Sequence, residues 1–259
     1  MRMLVNFTFD FLQKNTLMLR RYLSLLLFSM LMLACQEKAA PPHTFQVHYH
    51  GALKNMMHQG DISAKTDLAD FKGKENLYAL GAIENLKGEI QIFAGQSHLT
   101  QVVDSTIAFD DSFSKKATLL VYAEVEDWTT FPIAPEVHTY DQLEQFIEKT
   151  ASDNGIPTNE AFPFLIQGRL NSMDWHVINW KDGDTEHSHQ KHISSGLNGT
   201  LEKVTVELLG FYSKSHHAIF THHTRNSHIH FKTQDGNLAG HLDDLLIGEG
   251  MKLSLPRIE

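Results

Sequence analysis

His228 and His230 stand two residues apart in S-H-I-H-F, and His241 follows after an Asp235-Gly236-Asn237 turn. Alternation along an extended segment puts Ser227, Ile229 and Phe231 on one face and both imidazoles on the other. The turn reverses the chain, and Gly240 brings His241 back toward the pair. Two imidazoles from one strand and a third from its returning neighbour cap one side of a divalent ion. Its remaining positions stay open to water or substrate, the pattern of a catalytic rather than a structural site. The chain therefore reads as a metal-dependent enzyme organised around His228, His230 and His241. Two plainer readings compete for the same residues. H-x-H arises readily by chance in a chain with 17 histidines, and eleven of these fall between His176 and His241, a density that also suits a loose metal-scavenging tract.

The elements that must position these residues begin after a leader. Arg20 and Arg21 form a basic start, Tyr22 to Leu33 is an apolar run too short to cross a bilayer comfortably, and Leu33-Ala34-Cys35 reads as a lipoprotein cleavage site. Met18 then stands as the initiator, and residues 1–35 are expected to be a lipoprotein signal peptide. Cys35 is the only cysteine of the 259 residues, so its acylation leaves no thiol for disulfides or metal. The expectation is an extracytoplasmic protein, in the periplasm or cell envelope, lipid-anchored to a membrane surface. Residues 36–44 are a short polar tether. The remaining stretch, 45–259, is long enough for one large domain or two lobes sharing a core. A net charge of −9 without a Lys/Arg run argues against nucleic acid.

Phe45 to His50 alternates as a half-buried strand whose second H-x-H, His48 and His50, reads as solvent-facing. Gly51 to Gly60 holds a short helix with Leu53, Met56 and Met57 on one face. Strands are expected over Leu77–Ile83, Gly88–Phe93, Val102–Phe109 and Ala117–Val125. Glu89 opens the second of these, where a carboxylate can point into a cleft; by residue type alone it is an exposed strand glutamate. Thr139 to Ser152 is the clearest helix, with a capping box from Thr139 and Gln142. Phe162–Leu170 and Trp175–Trp180 read as a hairpin around Asn171-Ser172. Lys181 to Gly199, with His187, His189 and His192, reads as a surface loop, and Thr200 to Phe211 as one strand. His222 and His223 are proton-transfer candidates by type alone. Asp243 or Asp244 is placed to orient a ligating imidazole.

Together, S-H-I-H-F, the turn and A-G-H-L-D-D-L resemble the signature of the α-acetolactate decarboxylases, where an H-x-H-F strand precedes a G-G-H-V-x-D-F-like strand. Gly199-Thr200-Leu201 with Leu209-Gly210-Phe211 is similar to that family's approach to the metal strand. Leu80-Gly81-Ala82-Ile83 through Leu86-Lys87-Gly88-Glu89-Ile90 is similar to its G-x-G-T-F-x-x-L-x-G-E-L stretch. The three stretches occur in the family's order and span most of Phe45 to Pro256. The resemblance implies an α+β fold of mostly mixed or antiparallel β-sheet with a few helices. Two lobes, about 45–135 and about 160–259, would share a metal cleft. It implies Zn²⁺, or another divalent metal, on His228, His230 and His241, with Glu89 in the active site and the chain's final Glu259 reaching it. In the family an Arg on a Y-x-I-R-I-x-G-like strand faces the substrate. Register from Ile166 places Gln167 there, with Arg169 two residues on and on the same face, so either Arg169 takes the carboxylate-clamping role after a small shift or the clamp has been lost. The implied reaction is decarboxylation of 2-acetolactate to acetoin and CO₂ on a small-molecule substrate, by a homodimer paired through sheet edges. The alternatives are a metal-dependent lyase or hydrolase acting on another extracytoplasmic keto or hydroxy acid, and a non-catalytic metal-binding lipoprotein.

Overall fold

The computed structural model describes residues 45–258; the signal segment, Cys35 and Glu259 lie outside the described residues. Among the described residues the chain forms two eight-stranded sheets with three α-helices, an α+β architecture dominated by antiparallel pairing. No helix among them is long and apolar enough to cross a membrane.

The first half of the chain builds the first sheet. Its strands are β1 (His48–His50), β2 (Thr66–Asp67), β3 (Leu77–Ile83), β4 (Glu89–Phe93), β5 (Gln96–Ser97), β6 (Leu99–Val103), β7 (Thr106–Asp110) and β8 (Lys116–Glu124). The path runs β1-β8-β3-β4-β6-β7, with β2 on β8 and β5 on β4. β3 and β4 are buried along their whole length, because both faces of this sheet are covered. One face packs Leu77, Ala79, Ile90 and Leu120 against Leu68 and Phe71. The other packs Tyr78, Leu80, Leu119 and Val121 against the second sheet. α1 (Leu53–Gln59) follows β1 and turns its Met56 into this interior.

The second sheet holds β9 (Trp128–Pro132), β10 (Phe162–Arg169), β11 (Ser172–Val177), β12 (Leu197–Glu202), β13 (Thr205–Tyr212), β14 (Ser227–Thr233), β15 (Ala239–Leu246) and β16 (Lys252–Pro256). Their order is β12-β11-β15-β14-β13-β10-β16-β9. Alternation along β13 and β14 sorts the side chains: Leu208, Tyr212, Ile229 and Phe231 face outward under α2 (Tyr140–Asp153), whereas Leu209 and Phe211 face the first sheet. α2 starts at Thr139, whose hydroxyl accepts from Gln142 N–H while the Gln142 side chain returns to the Thr139 N–H. It docks through Leu143, Ile147 and Ala151, all fully buried. Burial of Leu143 and of Ile147 stabilises the domain by about 1.5–3 kcal/mol each.

Three expectations are corrected. β10 and β11 are not a hairpin: β13, β14 and β15 lie between them, because Leu170 N–H bonds to Val204 and Asn171 N–H to Leu246, which carries the chain past the ends of those strands. Thr200 to Phe211 is two strands, broken where Lys203 adopts φ 52° and its N–H turns to the Asn171 carbonyl. The histidine-bearing loop contains α3 (His189–Ser194), capped by Ser188 and fastened to the buried Trp180, on which His187 stacks at 4.3 Å.

Candidate metal centre

The pairing of β14 with β15 sets His230 directly opposite His241, as the turn between them predicts. His228 and His230 share the face of β14 that looks into the gap between the sheets, since Ile229 and Phe231 occupy the face under α2. His228 Nε2 and His230 Nε2 lie 3.1 Å apart. One ligand atom from each of His228, His230 and His241 falls within 4.8 Å of the others. The sequence pattern thus brought together three imidazoles from two adjacent strands.

Their chemistry suits a divalent ion. Burial holds His228 and His230 well below the ordinary histidine value, and neighbouring imidazoles add to the effect. Both are therefore neutral at neutral pH, the form that donates a lone pair. Backbone hydrogen bonds with Ile90 and Phe220 engage the His230 and His228 rings respectively. Two buried neutral imidazoles facing a third, half-buried one are costly to leave unpaired, and a borderline-soft cation satisfies them.

Glu89, at the start of β4 in the opposite sheet, closes the group. Its carboxylate is 3 % exposed; Oε2 lies 3.8 Å from His230 Nε2, and Oε1 lies 3.7 Å from His176 Nε2. Oε1 also accepts the Ile178 N–H at 3.0 Å, which ties β4 to the strand carrying His176. Burial pushes the Glu89 carboxyl up to about 7, against the lowering influence of His241 and the Ile178 N–H. The sequence expected Glu89 only through its resemblance; the structure puts it beside the imidazoles.

Asp243 stands behind the centre. Both its oxygens lie 2.9 Å from His176 Nδ1, and Oδ1 lies 3.2 Å from His241 Nδ1. Burial alone would raise its carboxyl, but the hydrogen bond from His176 and the neighbouring His241 ring hold it well below the usual range. An anion in that place fixes the tautomer and orientation of both rings. Asp243, rather than Asp244, is the orienting carboxylate, because Asp244 lies across β15 on the exposed side. Asp243→Asn is expected to weaken metal binding about 10–100-fold with the fold intact, measurable by competition with a chromophoric chelator; unchanged affinity would remove Asp243 from the centre.

These groups line a cavity of about 300 Å³ between the sheets. Leu53, Met56, Leu86, Leu119, Ile178 and Phe220 give it an apolar wall. His189 and His192 from α3 and His222 from the β13–β14 connection form its rim. Burial pushes His192 and His222 down to about 4, so neither charges near neutral pH. Tyr140, Thr224, Arg225 and Ser227 also line it. Of these, sequence reasoning missed His189 and His192 as lining residues, and Tyr140 and Arg225 altogether. Arg225, three residues before His228 in an aperiodic segment, was the only signal available.

Arg169 does not join the site. It is exposed, its Nε donates to the Lys203 carbonyl at 3.0 Å, and it pairs with Thr205 at the far end of β13. His230 pairs with Leu209, four residues along, so Arg169 sits roughly 13 Å down the strand direction. Gln167 is also displaced: it donates to Glu207, which pairs with Lys232. The β10 residue level with His230 and on its face is Leu165, opposite Leu209 and packed between the sheets. Aligning Gly168 with the glycine of the Y-x-I-R-I-x-G pattern gives the same answer, so the family's Arg position holds a leucine here. His223 packs on His222, ring centres 4.0 Å apart and tilted by 42°, but does not line the cavity.

Comparison with known proteins agrees with this architecture. The family model described as alpha-acetolactate decarboxylase matches residues 45–259. A search of curated proteins finds no match. The solved alpha-acetolactate decarboxylase from Bacillus subtilis strain 168 superposes with a TM-score of 0.66 at 15% identity, covering 82% of this chain and 86% of that one. Acetolactate decarboxylase from Bacillus subtilis subspecies spizizenii gives 0.66 at 15% identity, with 83% and 87% covered. A Staphylococcus aureus protein of unknown function, described as similar to alpha-acetolactate decarboxylase, gives 0.64 at 15% identity, with 82% and 86% covered. At that identity the superpositions establish the fold, and the family model, spanning both sheets and every histidine of the centre, establishes that this chain belongs to the alpha-acetolactate decarboxylase family.

Proposed function

We propose that this protein decarboxylates 2-acetolactate to acetoin and CO₂, with one Zn²⁺ held by His228, His230 and His241. The observation that carries this reading is the convergence of three imidazoles, two of them buried, on one cavity wall with Glu89 facing them, in a chain of this family. The ion supplies Lewis acidity for the negative charge that develops as CO₂ leaves.

The chain's own groups do the rest. In the reaction the bond to the carboxylate breaks, its electron pair stays on the carbon skeleton as the enolate of acetoin, whose hydroxyl keeps its proton, and one proton added to that carbon gives acetoin. Glu89 is the group to deliver that proton. Its Oε1 is fixed by the Ile178 N–H, Oε2 faces the imidazoles, and burial brings its carboxyl near neutrality, where it gives and takes a proton with little penalty. The apolar wall keeps water from the reacting carbon and accommodates the substrate's methyl groups. Equal amounts of acetoin and CO₂ from racemic acetolactate, released by the zinc-loaded chain, are the expected result. A zinc-loaded chain that releases neither would refute the assignment.

One observation favours a second reading. Leu165 at the level of His230 suits the same scaffold acting on another keto or hydroxy acid, and a panel of such acids separates the two. We further propose that the chain works outside the cytoplasm on a membrane surface through acylated Cys35. Expressed in its own host, it is expected to partition into detergent, and Cys35→Ser to leave it in the aqueous phase; partition unchanged by the substitution would exclude the anchor.

A further inference from the structure

Among the described cavity lining, Arg225 is the one side chain with a permanent positive charge. The same cavity carries two acids, Glu89 and Asp243, and no residue of β10 lines it. An anionic substrate entering it needs a cationic partner in compensation for lost hydration.

Arg225 is held in place by α2. Glu144 Oε1 accepts from the Asn226 N–H at 2.9 Å, the Ser227 N–H at 2.7 Å and the Ser227 hydroxyl at 2.5 Å, which pins the residues that follow Arg225. The guanidinium lies over the Tyr140 ring, 4.2 Å from its centre. Nη1 pairs with Asp141, whose side chain is 77% exposed, so water screens that pair. Nη2 is 3.9 Å from Asp244 Oδ1, past hydrogen-bond range. A guanidinium offers five donors in a planar fork, and this one has donors left for a second carboxylate.

We propose that Arg225 is the carboxylate-binding residue of this site, receiving the anionic end of a 2-hydroxy-3-oxo acid beside Tyr140, Thr224 and Ser227. The assignment rests on the decarboxylase reading. It places the carboxylate clamp on α2 and the β13–β14 connection instead of on β10. Substrate would exchange with the solvent-screened Asp141 for the guanidinium.

The test uses the zinc-loaded full chain and two unreactive probes. 2,3-Dihydroxy-2-methylbutanoate keeps the carboxylate and the vicinal oxygens; butane-2,3-diol keeps only the oxygens. Arg225→Gln is expected to weaken binding of the acid about 10–100-fold, leaving zinc content and diol binding as in the parent. Arg225→Lys, which keeps charge but loses the fork, should recover part of the loss. Asp141→Asn should tighten the acid severalfold by removing the competing carboxylate. An Arg225→Gln chain that binds the acid as tightly as the parent overturns the proposal. So does a parent chain that binds the acid no better than the diol. Acetoin formation measured on the same preparations reports separately on the decarboxylase reading, which survives either of those results if turnover is present.

Discussion

Replacing His230 with alanine is expected to lower acetolactate turnover roughly 10³-fold or more and to strip the ion from the chain. The size follows from what is lost: Lewis-acid stabilisation worth several kcal/mol, at about tenfold in rate for each 1.4 kcal/mol. His230 is the most deeply buried of the three imidazoles and lies at the crossing of β14 with β15, so it positions the other two. Truncation there also opens a void in a packed interior, which costs stability in its own right. His230→Gln keeps most of the volume and separates the two effects. If the glutamine variant melts like the parent yet holds no zinc, the loss belongs to coordination. Zinc retained at parental affinity in both variants would show that the ion sits elsewhere.

The second large effect is expected at Glu89. Glu89→Gln preserves size and keeps an oxygen to accept the Ile178 N–H, but cannot exchange the proton that completes acetoin. A fall in kcat of about 10²–10⁴-fold is expected, the range for removing one positioned acid or base. Zinc content should not change, because Oε2 stands 3.8 Å from His230 Nε2 and is not needed to complete the group of three imidazoles. The variant should fold at least as stably as the parent, since an amide avoids the cost of burying a carboxylate. If kcat is preserved, Glu89 serves only to tie β4 to β11.

Much of this was legible in the chain itself, for definite reasons. The face of β14 was fixed by alternation, because a strand whose odd residues are Ser, Ile and Phe can bury only one way. The return of His241 was fixed by a short turn, and α2 by its capping box and apolar stripe. What failed was whatever depends on non-local pairing. β10 and β11 look like a hairpin because they are adjacent in sequence with Asn171-Ser172 between them, yet each takes its hydrogen bonds from strands far along the chain. That error carried into the site. Once β10 is placed beside β13, Arg169 falls at the wrong end of the strand and Leu165 comes level with His230. His189, His192 and Arg225 were hard to see for a related reason. They sit on a short helix and an irregular connection, where no periodicity shows which way a side chain points. The pairing of His176 with Asp243 is likewise a product of β11 lying against β15, which spacing along the chain cannot reveal.

In the proposed reaction one ion, bound by His228, His230 and His241, is required for decarboxylation of acetolactate. The most direct measurement follows acetoin formation from racemic acetolactate while zinc per chain is quantified before chelation, after chelation and after zinc is returned. One zinc per chain is expected, with turnover lost on its removal and restored on its return. Turnover that survives complete removal of the ion would contradict the account, as would one tightly bound zinc with no acetoin formed.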